Sequence, residues 1–81
     1  MRIDKYLKIA RLFKRRTVAQ EVLREGLVTV NGRTAKPSTE VGPGDVVSIN
    51  LGPKTITVEV LAVSEHITAK EAPSLYKVLS E

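Results

Sequence analysis

At Gly26 the hydrophobic pattern of this chain changes period. Before it, Ile3, Tyr6, Leu7, Ala10 and Phe13 recur at steps of three and four, and Val18, Ala19, Val22 and Leu23 form a second such stripe. After it, Val28 and Val30 alternate around Thr29, and Asn31-Gly32 follows at once. The first pattern puts apolar side chains on one face of a helix; the second puts them on one face of a strand. Helices followed by a run of strands predict an α+β domain. The expected architecture is two short N-terminal helices packed on a small, mainly antiparallel sheet.

The first helix is expected from about Ile3 to Leu12, with Lys5, Lys8 and Arg11 on the side away from the core. Asp4 falls in its first turn. There a carboxylate either complements the helix dipole or orients Arg2 or an arginine of the next segment. Lys14, Arg15 and Arg16 make a basic corner. Thr17 and Gln20 have the spacing of a capping box, which places the start of the second helix at Thr17. Gly26 is the expected left-handed residue that ends it. Leu27 to Lys36 forms a hairpin around a type I′ turn at Asn31-Gly32. Pro37 stops the returning strand, and Val41-Gly42-Pro43-Gly44-Asp45 is a turn cluster. Val47, Ile49 and Leu51 share one face of the next strand. Beyond the Gly52-Pro53-Lys54 turn, Thr55 to Val63 alternates with Ile56, Val58 and Val60 inward. Residues 1–63 are read as the domain and 64–81 as a short C-terminal extension. In that extension Thr68 and Glu71 can cap a helix of one or two turns that Pro73 ends or kinks. Leu75, Tyr76, Val78 and Leu79 form a last strand or a docked tail.

Charge is divided along the chain. Residues 1–36 hold ten Lys/Arg against three Asp/Glu, a net +7, whereas residues 37–81 hold three against six, a net −3. Such asymmetry marks a polyanion-binding face, with a solvated basic surface as the plain alternative. Three adjacent cations at 14–16 repel one another, and an anion at the positive end of a helix relieves that. Arginine's planar fork matches phosphate. Arg2 before one helix and Arg15 and Arg16 before the next suit two phosphates at once, contacts that position a nucleic acid without reading its sequence.

Enzyme chemistry is not in evidence. His66 is the only histidine and has no partner nearby in sequence. Gly42-Pro43-Gly44-Asp45 lacks the Gly-Lys-Ser/Thr ending of a phosphate loop. Asp4, Glu21 and Glu25 are too scattered for paired-carboxylate catalysis. With no cysteine, neither a disulfide scaffold nor a thiolate metal site is available. A non-enzymatic binding protein without cofactor or metal is therefore expected. Met1 is followed by charged residues rather than an apolar run, so no signal peptide or membrane span is expected. The chain is read as soluble and cytoplasmic. Aromatic residues number three, Tyr6, Phe13 and Tyr76, too few for a base-stacking platform. Recognition of folded RNA by shape fits better.

These residues also resemble a known family. Arg2-Ile3-Asp4-Lys5-Tyr6-Leu7, the arginine pair before Thr17, Gly26-x-Val28-x-Val30-Asn31-Gly32 and Val41-x-Pro43-Gly44-Asp45 are similar to the RNA-binding domain named after small-subunit ribosomal protein S-four, the alpha-L motif. The likeness spans about residues 1–63. It implies that a helix pair and its corner dock on structured RNA. Among the members, the short stand-alone factors of bacterial ribosome-associated quality control are most similar. Those imply partners: a large ribosomal subunit, its rRNA, peptidyl-tRNA, and the RqcH protein in template-free alanine tailing. Off the ribosome a monomer is expected. The heat-shock ribosome-recycling protein of the family has a longer basic tail, unlike the short acidic one here. By this resemblance Arg2 and Arg16 are first-rank RNA contacts, Lys5, Arg11, Lys14 and Arg15 supporting ones, and Asp4 part of the same surface.

Overall fold

The computed structural model describes residues 1–80; Glu81, the last residue of the expected C-terminal extension, lies outside them. Two helices, α1 (Ile3–Ile9) and α2 (Arg16–Arg24), precede β1 (Val28–Val30), β2 (Arg33–Thr34), β3 (Val46–Asn50) and β4 (Thr55–Val60). A 3₁₀ turn at Ala72–Leu75 leads into β5 (Tyr76–Ser80). The strands form one sheet in the order β2-β1-β3-β4-β5, every pair antiparallel.

Each apolar face expected from periodicity meets at one core. Ile3, Tyr6, Leu7 and Ala10 of the first helical segment pack with Ala19 and Leu23 of α2 and with Val28, Val47, Ile49, Val58 and Val60 of the sheet. Each of the fully enclosed aliphatic side chains contributes about 1.5–3 kcal/mol over an exposed one. Val18 departs from expectation and is 42% exposed. Ala19 and Leu23, four apart, define the inward line of α2, and Val18 lies a step around the helix from it. Leu51 is also exposed, because β3 ends at Asn50, ahead of it. Strand β4 stops at Val60 rather than Val63.

The two helices end alike. Glu25 caps α2 and Gly26 follows at φ +76°; the Gly26 amide donates to the Leu23 carbonyl (3.0 Å) and the Leu27 amide to that of Val22 (3.3 Å). This is a Schellman motif with glycine at its left-handed position. Helix α1 ends in the same way three residues before the expected Leu12. Arg11 takes the left-handed position at φ +63°, its amide donating to Lys8 (3.0 Å) and that of Leu12 to Leu7 (3.1 Å). A side chain there costs roughly 1–2 kcal/mol. Leu12 and Phe13 then fold back against the core.

The start of α2 also differs. It begins at Arg16, with Arg15 as the N-cap residue and no side-chain cap, so the Thr17-x-x-Gln20 box does not form. Thr17 is exposed in the first turn and Gln20 is engaged elsewhere. At α1 the capping duty passes to a distant loop. The amides of Ile3 and Asp4 donate to the carbonyls of Thr39 (2.7 Å) and Pro37 (3.3 Å), and Arg2 pairs with Glu40 in an isolated bridge. The N-terminal amine bonds Glu40 at 2.8 Å. Segment 37–41 thus fixes where the chain enters α1.

Asn31 (φ +52°) and Gly32 (φ +84°) form the expected type I′ turn. The Asn31 side chain accepts from the Val46 amide (2.9 Å) and donates to Asp45 (3.1 Å), tying the hairpin to β3. In the C-terminal segment Thr68 and Glu71 do bond reciprocally, with Thr68 Oγ1 donating to the carboxylate at 2.8 Å. A 3₁₀ turn follows rather than an α-helix, Pro73 being inside it. Tyr76 to Ser80 then form the last strand against β4. The Leu75 carbonyl accepts from Tyr6 Oη (2.7 Å), and from the amides of Leu61 and Ala62.

Candidate nucleic-acid interface

Asp4 is fully buried in the first turn of α1. Its carboxylate receives four donors. Oδ1 accepts from the Lys5 amide (2.7 Å) and Arg16 Nη2 (3.3 Å); Oδ2 accepts from Gln20 Nε2 (2.9 Å) and Arg2 Nη2 (3.1 Å). A carboxylate offers about four lone-pair sites, so this one is saturated. Asp4 meets both roles open to it: it stands in the first turn of α1, where a carboxylate suits the helix dipole, and it orients Arg2 and Arg16. Burial by itself would raise its pKa. The hydrogen bonds from Gln20, Arg16 and the Lys5 amide, with the Arg16 charge, outweigh burial and hold it below the usual carboxylate value.

The two guanidinium groups come from positions fourteen residues apart in sequence and meet at one anion. Their side chains keep 47% (Arg2) and 42% (Arg16) of their surface exposed. One negative charge faces two positive ones, so the cluster is net cationic. Each arginine donates to Asp4 through one terminal nitrogen and keeps its other donors, which suits a phosphate. Gln20 had been expected in a cap. Its polar side chain one turn beyond Arg16 was the available signal, and only the meeting of α1 and α2 shows that it reaches Asp4.

The remaining expected residues fall into two groups. Lys5 is half-buried and its ammonium pairs with Glu65 of the segment after β4. The hydrogen bond and charge of Lys5 hold the Glu65 carboxyl below its usual range. Nothing in the spacing of residues 5 and 65 announces that pair. Arg11, Lys14 and Arg15 are exposed along the connection between the helices, and among the described residues no carboxylate pairs with them. The structure therefore brings Arg2, Asp4 and Arg16 into one cluster and leaves Arg11, Lys14 and Arg15 beside it as exposed charge. Among the described residues no group of three or more His, Cys, Asp or Glu side chains could hold a metal ion.

The S4 domain family matches residues 1–47, which contain both helices, the hairpin and every residue of the cluster. The whole chain is 48% identical to the RQC P-site tRNA stabilizing factor of Listeria innocua, covering 88% of it. It is 49% identical, again over its whole length, to the protein of the same name from Halalkalibacterium halodurans, covering 92% of that relative. Among solved structures, the trimeric structure of Vibrio cholerae Heat Shock Protein 15 superposes with a TM-score of 0.88 at 33% identity, over 99% of this chain and 82% of that one. The chain thus belongs to the S4 domain family of RNA-binding proteins and, within it, to the group of RQC P-site tRNA stabilizing factors.

Proposed function

We propose that this chain is a non-enzymatic factor that grips structured RNA on the large ribosomal subunit, with Arg2 and Arg16 as the leading contacts. Lys5, Arg11, Lys14 and Arg15 add charge around them, and Asp4 holds the leading pair in place. On an obstructed subunit the surface spans large-subunit rRNA and peptidyl-tRNA. It keeps the tRNA in its site and so supports RqcH in template-free addition of C-terminal alanine. The carrying observation is that two half-exposed arginines share one buried carboxylate. Held arginines lose less side-chain entropy when a phosphate arrives, so more of each contact is realised as affinity. The name of the Listeria and Halalkalibacterium relatives favours the tRNA-bearing subunit as target. The cytoplasm is the matching compartment, and no helix of the described residues is long and apolar enough to cross a membrane.

The test is sedimentation with purified large subunits, with and without peptidyl-tRNA. The protein is expected to enrich on tRNA-bearing subunits, and Arg16→Ala to lose that enrichment. Its log affinity should fall with log salt by about 0.7–0.9 per phosphate contacted. Equal binding to empty subunits would favour a second reading, a general assembly or recycling factor, for which the likeness to Heat Shock Protein 15 is the supporting observation. Binding indifferent to salt would remove both.

A further inference from the structure

A groove of about 480 Å³ opens between the C-terminal end of α2 and the segment that follows the hairpin. Leu23, Ala35 and Pro37 make its floor, and Arg2, Arg24 and Lys36 stand around it. Among the described residues no acidic side chain lines it. Leu23 and Ala35 are almost fully buried, so the floor is a firm part of the core rather than a mobile flap. A volume in this range suits a small organic group; ligand sites run from about 300 to 1,000 Å³. Arg24 and Lys36 had no place among the expected contacts, yet they face the same opening from a helix and from a loop.

Arg2 belongs to both places. It donates to Asp4 on one side and lines the groove on the other. A strand of RNA held at the Asp4 cluster therefore has a cationic path around the start of α1 into the groove. An apolar floor within a ring of cations complements a nucleotide, which carries a flat base on an anionic backbone. A folded-RNA surface without aromatic side chains still takes a splayed base where an apolar patch and guanidinium planes meet it.

We propose that this groove is a nucleotide subsite: an unpaired base of the bound RNA rests on the half-buried Pro37 and the exposed Thr34 and Gly26, above the buried Leu23 and Ala35, and its flanking phosphates meet Arg24 and Lys36. The proposal rests on the RNA-binding reading above and adds to it a place where a single-stranded nucleotide leaves the folded RNA. The floor carries few hydrogen-bonding groups, so the subsite accepts any base. The side chain of Thr34 faces the groove opposite Gly26, where a β-carbon built on the glycine would come within 3.8 Å of the Thr34 methyl. Thr34 is exposed, which makes it the place to fill the groove without entering the core.

The experiment measures binding of the whole protein to hexauridylate and to an abasic ribose-phosphate hexamer of equal charge. Hexauridylate is expected to bind about threefold tighter, less than the gain from stacking a base on an aromatic ring, because among the described residues no aromatic side chain lines the groove. Thr34→Leu, with folding checked by circular dichroism, should erase that preference and leave the abasic strand unchanged. Arg24→Ala with Lys36→Ala should weaken both strands. Equal affinity for the two strands, or a preference that survives Thr34→Leu, would overturn the subsite. So would a hexaglutamate peptide that competes as well as hexauridylate, which would reassign the groove to protein. Arg16→Ala tests the other reading: it should lose ribosomal subunits while keeping the base-dependent difference. A base preference in a protein that ignores subunits would leave the groove standing and remove the ribosomal reading.

Discussion

The Asp4 cluster and the α1–α2 connection both carry cations, and they treat them in opposite ways. At the cluster, Arg2 and Arg16 are drawn to a buried carboxylate that is itself saturated with donors. Along the connection, Arg11, Lys14 and Arg15 are exposed and no carboxylate among the described residues draws them in. Held charge gives position and exposed, unpaired charge gives reach. A surface that must recognise the shape of an RNA needs the first; one that must attract it from solution needs only the second.

The comparison breaks most visibly at Asp4. Asp4→Ala leaves two like charges together and strips partners from Gln20 and the Lys5 amide. We expect a loss of about 3 kcal/mol in urea unfolding, the low end for a broken buried ion pair because both guanidinium groups still touch water. Acid should produce part of the same loss. The folded-state pKa of Asp4 lies below its ordinary 3.8, so its contribution is full above that value. It disappears as pH falls through the lower folded value. Unfolding followed from pH 6 down to pH 2 should therefore show an acid-labile component that Asp4→Ala lacks.

On the other side, the connection carries backbone strain. Arg11 occupies the left-handed position that Gly26 occupies in the second helix. Arg11→Gly is expected to raise stability by about 1 kcal/mol in the same assay while weakening RNA binding, because the strain is kept for the side chain. A variant that gained stability without loss of binding would reduce Arg11 to an accident of helix termination. The smallest effect is expected from Lys14→Ala with Arg15→Ala. Stability should stay within about 0.5 kcal/mol. The slope of log affinity against log salt should become shallower by at most about two contacts' worth, roughly 1.4–1.8.

These contrasts also separate what local pattern can reveal from what needs the assembled chain. The core helix face, the left-handed Gly26 and the Asn31-Gly32 hairpin depend on neighbours a few residues away, and all were legible. The end of α1 was not, because Arg11 sits where sequence rules expect glycine. The capping box at Thr17 was misread because Gln20 finds a carboxylate on another helix, and a cap is only one of the bonds open to it. Val18 was placed inside because its helix was treated as covered on a broad side, whereas only the Ala19–Leu23 line faces inward. Of the site, the list of cations and the alternative that Asp4 orients arginines could be read from residues 2–16. That two of the cations converge on Asp4, and that Lys5 is tied to Glu65, depend on tertiary approach.

The bond from the Tyr6 hydroxyl to the Leu75 carbonyl spans 69 positions. Its phenol is buried and its pKa is pushed upward by burial and by the nearby Tyr76. Helix α1, which carries Asp4 and follows Arg2, is thereby joined to a carbonyl far along the chain. Contacts this distant along the chain are slow to form and close only after the intervening loop. Loss of that one bond would therefore loosen both the helix that presents Asp4 and the segment that leads into β5.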